Sequence, residues 1–166
     1  MYRSPDWDDG GELVHVSVDS AVIEGNLSFP GSAEDIVLFA HGAGSSRHSP
    51  RNNFVAQALR EGGLATLLID LLTSQEKEID RRTRRIRFDI DRLAQRVVGA
   101  TDWLLEQSET DDLNVGIFGS STGAASALRA AARCRFRRQP SSTAAAHTRS
   151  SNEPMADCSD EVSESV

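Results

Sequence analysis

An α/β fold is what this sequence predicts: the front part of a doubly wound, mostly parallel sheet, entered through an antiparallel hairpin. Three observations carry that expectation. Short continuous apolar runs, Ile36–Ala40, Ala65–Ile69 and Val115–Phe118, have the length and character of strands buried on both faces. Stretches of helical period lie between them, the strongest over residues 90–105. Glycine-rich turns follow two of the runs, His41-Gly42-Ala43-Gly44-Ser45-Ser46 and Gly119-Ser120-Ser121-Thr122-Gly123.

Composition bounds the rest. The 166 residues suffice for one domain with a real core. No apolar run is long enough to span a bilayer, and the start, Met1–Gly10, lacks the apolar centre of a signal peptide. A soluble, cytoplasmic protein is expected. The net charge of −7 argues against nucleic-acid or acidic-membrane partners. Lys77 is the only lysine, so the basic residues are otherwise arginines. That usage suits a GC-rich gene, with a high-salt cytoplasm as the open alternative. Cys134 and Cys158 form no C-x-x-C pair or Cys/His spacing, so they read as incidental thiols.

Residues 1–12 read as a flexible N-terminus, with Asp8-Asp9-Gly10-Gly11 as a turn or frayed end. Leu13–Val18 alternates apolar and polar residues and predicts a strand. Asp19-Ser20 turns it, and Ala21–Phe29 returns as the second arm of a hairpin. His15 falls on this hairpin and reads as a surface histidine. The run Ile36–Ala40 follows, leading into the loop from His41 to Ser46. Two uses of that loop stay open. It is a phosphate cradle, though without the lysine and spacing of a P-loop. Or it supplies a backbone N–H to a developing oxyanion.

Ser49-Pro50 predicts a helix start, serine as N-cap and proline at the first helical position. Phe54, Val55, Ala58 and Leu59 form the expected apolar stripe, and Gly62-Gly63 ends the helix. Ala65–Ile69 is the next buried strand and ends at Asp70. Leu71–Phe88 is a charged connection, with Glu76, Lys77, Glu78 and Asp80 ahead of Arg81, Arg82, Arg84, Arg85 and Arg87. It reads as a solvated loop or short helix, or alternatively as a lid or anion site. Asp89 caps a helix whose stripe runs Ile90, Leu93, Ala94, Val97, Val98, Thr101, Leu104 and Leu105.

The last strand and helix enclose Gly119, Ser121 and Gly123 in a G-x-S-x-G pattern. Such a turn reverses the chain from strand to helix within a few residues. It forces the serine into a strained conformation and leaves room only for glycine on its flanks. The hydroxyl of Ser121 is then expected at the tip of the sheet, beside a helix N-terminus. By itself the pattern is weak, because chance alone produces it in about one chain of this length in twenty.

Taken together, these residues resemble the α/β-hydrolase superfamily. Within it they resemble the dienelactone-hydrolase-like branch, which in some bacteria and archaea is fused to a phosphoribosyltransferase. The resemblance rests on residues 41–59 (HGAGSSRHSPRNNFVAQAL), 63–80 (GLATLLIDLLTSQEKEID), and 87–104 with 115–132 (RFDIDRLAQRVVGATDWL and VGIFGSSTGAASALRAAA). It implies a partial α/β-hydrolase domain over residues 13–132. It implies Ser121 as nucleophile, and the backbone N–H of Thr122 and of Ala43 or Gly42 as the oxyanion hole. Gly119, Gly123 and Gly44 are then the elbow and loop glycines. Neither a metal nor an organic cofactor is expected, and no phosphoribosyltransferase motif is present.

After Ala132 the text changes abruptly to a low-complexity stretch, residues 133–166, rich in Ser, Ala, Arg and acidic residues and expected to be disordered. The family would place another buried strand here, then the triad acid and finally the histidine. This tail is expected to be a product of truncation or of a reading-frame change. Reading the other two frames of the downstream DNA tests that idea. His147 lies too close in sequence to Ser121 to serve as base, and Asp157 and Asp160 read as solvated charges. His41 reads as a loop-shaping residue, with a displaced base as the lesser reading. Asp70, closing a strand expected beside the elbow strand, is the best-placed acid, although the family carries its acid later.

The expected function is that of a serine hydrolase on a small ester or lactone, acting through an acyl-enzyme. Losing the histidine of a comparable triad costs about a millionfold in kcat, so the chain alone is expected to be nearly inactive. Two alternatives stand beside it. One is a non-catalytic fragment or pseudoenzyme, prone to self-association through an unpaired sheet edge. The other is a small-molecule or phosphate-binding α/β module using residues 41–46 and the arginines of 81–87.

Overall fold

A computed structural model of the chain describes residues 11–133. The expectations placed on residues 1–10 and 134–166, among them His147, Asp157, Asp160 and both cysteines, lie outside the described residues. Strands β1 (Glu12–Val18), β2 (Ala21–Ser28), β3 (Asp35–Ala40), β4 (Ala65–Ile69) and β5 (Asn114–Gly119) form one sheet in the order β1-β2-β4-β3-β5. β2 pairs antiparallel with β1 and β4, whereas β3 pairs parallel with β4 and β5. The sheet is therefore the mixed, largely doubly wound arrangement that the apolar runs predict.

Each helix starts where local chemistry allows it. α1 (Pro50–Glu61) has Ser49 as N-cap and proline in its first turn. α2 (Ser74–Thr83) carries a full capping box, in which the Thr73 hydroxyl accepts from Glu76 N–H and the Glu76 carboxylate accepts from Thr73 N–H. Asp89 caps α3 (Ile90–Glu106) by accepting from Arg92 N–H at 3.1 Å. α4 (Thr122–Arg133) follows the G-x-S-x-G turn directly. A single 3₁₀ turn, Ile86–Phe88, joins α2 to α3.

Strand alternation divides the core into two layers. Ile36, Leu38 and Ala40 of β3, with Ala65, Leu67 and Ile69 of β4, face α3 and α4 in the main cluster. Phe39 and Leu68 point the other way, against Ala56 of α1. β4 is buried along its whole length, as a central strand should be, while β5 is only half-buried at the edge of the described sheet.

Three expectations need correction. α1 buries only part of the stripe Phe54, Val55, Ala58 and Leu59. Val55 and Leu59 pack, partly buried, against Phe39, Ala56 and Leu68, whereas Phe54 is 64% exposed and Ala58 is exposed. Asn52, Asn53 and Ala56 turn inward, Asn53 because its amide donates to the carbonyls of Arg47 and Ser49 in the loop before the helix. Leu105, at the end of the α3 stripe, is 37% exposed, because its neighbour Leu104 occupies the core-facing position and is fully buried. Finally, β4 is not beside the elbow strand. β3 lies between them, so Asp70 is one strand further from Ser121 than the sequence suggests.

Candidate functional site

Ser121 adopts φ +55, a left-handed conformation that costs a non-glycine residue about 1–3 kcal/mol. The turn around it leaves no alternative to glycine. A Cβ on Gly119 would sit 2.6 Å from Gly123 O and 2.7 Å from Ala124 Cα. A Cβ on Gly123 would collide with Ala40 O and lie 2.5 Å from His41 O. So the start of α4 is pressed against the end of β3. Ser120 N–H donates to Ala40 O at 3.2 Å, closing the ladder just before the bend.

The side chain of Ser121 is exposed, and its hydroxyl has no hydrogen-bond partner among the described residues. Helical bonding begins after it, with Gly123 N–H on Ser120 O and Ala124 N–H on Ser121 O. Thr122 N–H, the first of the helix, donates to no described group. It is one of the orphan donors that every helix N-terminus presents. The Thr122 hydroxyl is itself buried and without a partner among the described residues.

The loop after β3 comes up against this turn. A Cβ on Gly42 would stand 3.1 Å from both Ser120 O and Ser121 Cβ. Ala43 and Gly44 are exposed, and the N–H groups of Gly42, Ala43 and Gly44 donate to no described group. Gly44 has φ +74, and a Cβ there would meet Arg87 Nη1 at 3.1 Å. The structure thus brings Ser121, Thr122, Gly119, Gly123, Gly42, Ala43 and Gly44 to one end of the sheet.

His41 shapes this loop. Leu71 N–H donates to His41 Nε2 at 3.1 Å, so the proton sits on Nδ1, which donates to Gly42 O at 2.9 Å. Burial holds its pKa below the ordinary value, only partly offset by the Gly42 carbonyl and the Asp70 charge. A buried, neutral ring with both nitrogens engaged has no free lone pair for Ser121.

Asp70 is also engaged. Its side chain is 2% exposed. It forms an ion pair with the Arg47 guanidinium, accepts from Arg47 N–H at 3.0 Å, and takes Lys77 Nζ at 2.7 Å. Burial alone would raise its pKa, but the Lys77 and Arg47 contacts outweigh that and hold the carboxyl below the usual range. Arg47 also reaches Glu24 at 2.7 Å and Asn26 at 3.3 Å.

Sequence reasoning missed Arg47 and Asn53, and it named Asp80 and Arg87 without foreseeing that they pair with each other. Asp80 is buried and accepts from Arg87 N–H at 3.0 Å and from Arg87 Nε at 2.6 Å. Asn53 Nδ2 donates to the carbonyls of Arg47 and Ser49, at 3.0 Å each. No periodicity marks such pairs. The only signal was the density of opposite charges over residues 76–87. Part of that stretch is solvated as expected, since Arg81 and Arg82 pair with exposed Glu78. His15 lines a cavity of about 240 Å³ together with Glu24, Asp70, Thr73 and Lys77, and neither Ser121 nor residues 41–44 line it. Among the described residues no cluster of His, Cys, Asp or Glu could hold a metal, and no helix is long and apolar enough to cross a membrane.

Comparison with known proteins agrees with this architecture. No protein-family model matches the chain. A crystal structure of dienelactone hydrolase from Anabaena variabilis is 59% identical with a TM-score of 0.73, over 74% of this chain and 57% of that one. Est1E from Butyrivibrio proteoclasticus (18% identical, TM-score 0.60, covering 74% of this chain and 45% of that one) shares the fold. So does an esterase from Pyrococcus furiosus (17% identical, TM-score 0.60, 82% and 50%). Two Mycobacterium tuberculosis proteins, each described as a phosphoribosyl transferase, are 50% identical over 121 residues, which is 73% of this chain. The chain spans only 26% of their length. A match confined to part of a protein with that description fits the hydrolase–phosphoribosyltransferase fusion that the motifs suggest.

Proposed function

We propose that residues 13–132 form part of an α/β-hydrolase domain of the dienelactone-hydrolase-like branch, a reading that the 59% identity to a dienelactone hydrolase supports, and that Ser121 is the nucleophile of a hydrolase acting on a small ester or lactone. The observation that carries this reading is the left-handed φ of Ser121, held between Gly119 and Gly123 against the end of β3. A protein accepts that strain where an exposed hydroxyl is the return.

In this reading the Ser121 oxygen attacks the substrate carbonyl carbon. The carbonyl π electrons move to its oxygen, and the hydroxyl proton passes to a base. The oxyanion is held by Thr122 N–H and by the N–H of Ala43 or Gly42, which have no competing acceptor among the described residues. Collapse expels the alkoxide and leaves the acyl group on Ser121, and water then releases it. Neither His41 nor Asp70 serves as base or orienting acid, because both are committed to other contacts. In this reading the proton acceptor is a group other than His41 or Asp70.

A fluorophosphonate probe tests this without a substrate. Peptide mapping should place the adduct on Ser121, slowly, and Ser121→Ala should abolish it. A specific observation also favours a second, non-catalytic reading: β5 is an edge strand of the described sheet and only half-buried. Absence of labelling with concentration-dependent association would favour that reading. Saturable binding of a phosphorylated ligand without labelling would favour an anion-binding module.

A further inference from the structure

We propose that Arg47 and Asp70 are positioning residues that hold the His41–Arg47 loop with its amides facing Ser121. The inference rests on the reading of that loop as oxyanion donor.

At its start, the ring of His41 accepts from Leu71 N–H. At its far end, Arg47 grips Asp70 by its backbone N–H and by its guanidinium. Asp70 and Leu71 are consecutive and follow β4, a strand buried at every position. The loop is thus pinned at both ends to the two residues that follow this fully buried strand, while Gly42, Ala43 and Gly44 between the pins keep their N–H groups free of any described acceptor. Arg47 spends its remaining donors on Glu24 and Asn26 of β2, next to β4. Its carbonyl is taken by Asn53 of α1. Every polar group of this residue is used to fix the loop.

Loop glycines are flexible, and an amide that is not aimed beforehand must be ordered as the charge develops. A tether at both ends removes that cost in advance. Asp70 has two cationic partners from different places, however. Arg47 comes from the loop, and Lys77 comes from α2. Only the first connects Asp70 to the amides. This separates a positioning role from simple satisfaction of a buried carboxylate.

The test compares Arg47→Gln with Lys77→Met in the full chain. Amide hydrogen exchange is read at the hydrogen-bonded amides of the loop, Ser45, Arg47 and His48, and, as an internal standard, over α3. Arg47→Gln should speed exchange at these three amides at least tenfold and leave α3 protected, whereas Lys77→Met should change them less than threefold. Equal effects of the two variants, or none, would overturn the proposal. So would loss of α3 protection in Arg47→Gln, which would make the pair an element of the whole fold rather than a tether. Fluorophosphonate labelling of the same proteins gives the second readout. Its rate at Ser121 should fall at least tenfold in Arg47→Gln and stay within threefold in Lys77→Met. An unchanged rate in Arg47→Gln, where the parent labels, also overturns the positioning role. If the parent chain fails to label, it is the reading of Ser121 that fails, and the exchange comparison still decides the tether.

Discussion

Adding one methyl group at Gly123 should unfold the elbow, whereas the same addition at Gly116 should be harmless. A Cβ at position 123 would collide with Ala40 O and lie 2.5 Å from His41 O, both backbone atoms at the end of a central strand. Neither obstacle can rotate away as a side-chain tip would. A Cβ at position 116 would meet nothing closer than Ile36 O at 3.9 Å. If space were free, alanine would gain up to about 1 kcal/mol over glycine through backbone entropy. Overpacking against an immobile neighbour costs about 1–3 kcal/mol, occasionally more, and the contacts here put Gly123→Ala at the upper end. Urea unfolding followed by circular dichroism measures the difference. With an m-value of about 2 kcal/mol per M, a loss of about 3 kcal/mol lowers the midpoint by about 1.5 M. Gly116→Ala should match or slightly exceed the parent. A Gly123→Ala protein as stable as its parent would refute the close approach of α4 to β3, and with it the strained turn at Ser121.

Two further outcomes test the site's polar groups. Thr122→Val replaces a buried hydroxyl that has no partner among the described residues, so the chain should gain about 1 kcal/mol in the same unfolding assay; a loss of that size would reveal a partner for the hydroxyl. Stability should fall on mild acidification, because His41 is held neutral by burial with its pKa below the ordinary 6.5. The unfolded chain binds that proton first. The stabilisation is complete above about pH 6.5 and is lost as the pH falls from there through the folded pKa. Urea midpoints measured from pH 8 to pH 5 check this, and His41→Gln should flatten the acid limb.

How much of this was legible in the residues differs from part to part, for physical reasons. The buried strands could be read because a strand covered on both faces must be apolar throughout, as Ile36–Ala40 and Ala65–Ile69 are. The elbow could be read because steric exclusion at Gly119 and Gly123 writes itself directly into the sequence. The helix caps at Ser49 and Asp89 could be read because a capping oxygen acts within three residues. The supports of the site could not be read in this way. Asp70 looked like an available acid, since nothing local shows that Arg47, 23 residues earlier, would close on it. The inward turn of Asn53 lay outside the apolar stripe because its amide serves the carbonyls of the loop before α1. Strand order was equally hidden. That β3 separates β4 from β5 follows from pairing across the sheet, and no single segment specifies it.

The central claim is that one strained hydroxyl faces two sets of free amides. A crystal structure of the chain carrying a phosphonyl adduct tests it most directly. The phosphonyl oxygen should lie about 2.7–3.1 Å from Thr122 N and from the N of Ala43 or Gly42, with the phosphorus bonded to Ser121 Oγ. An adduct on another residue, or an oxygen turned to solvent away from those amides, would contradict it.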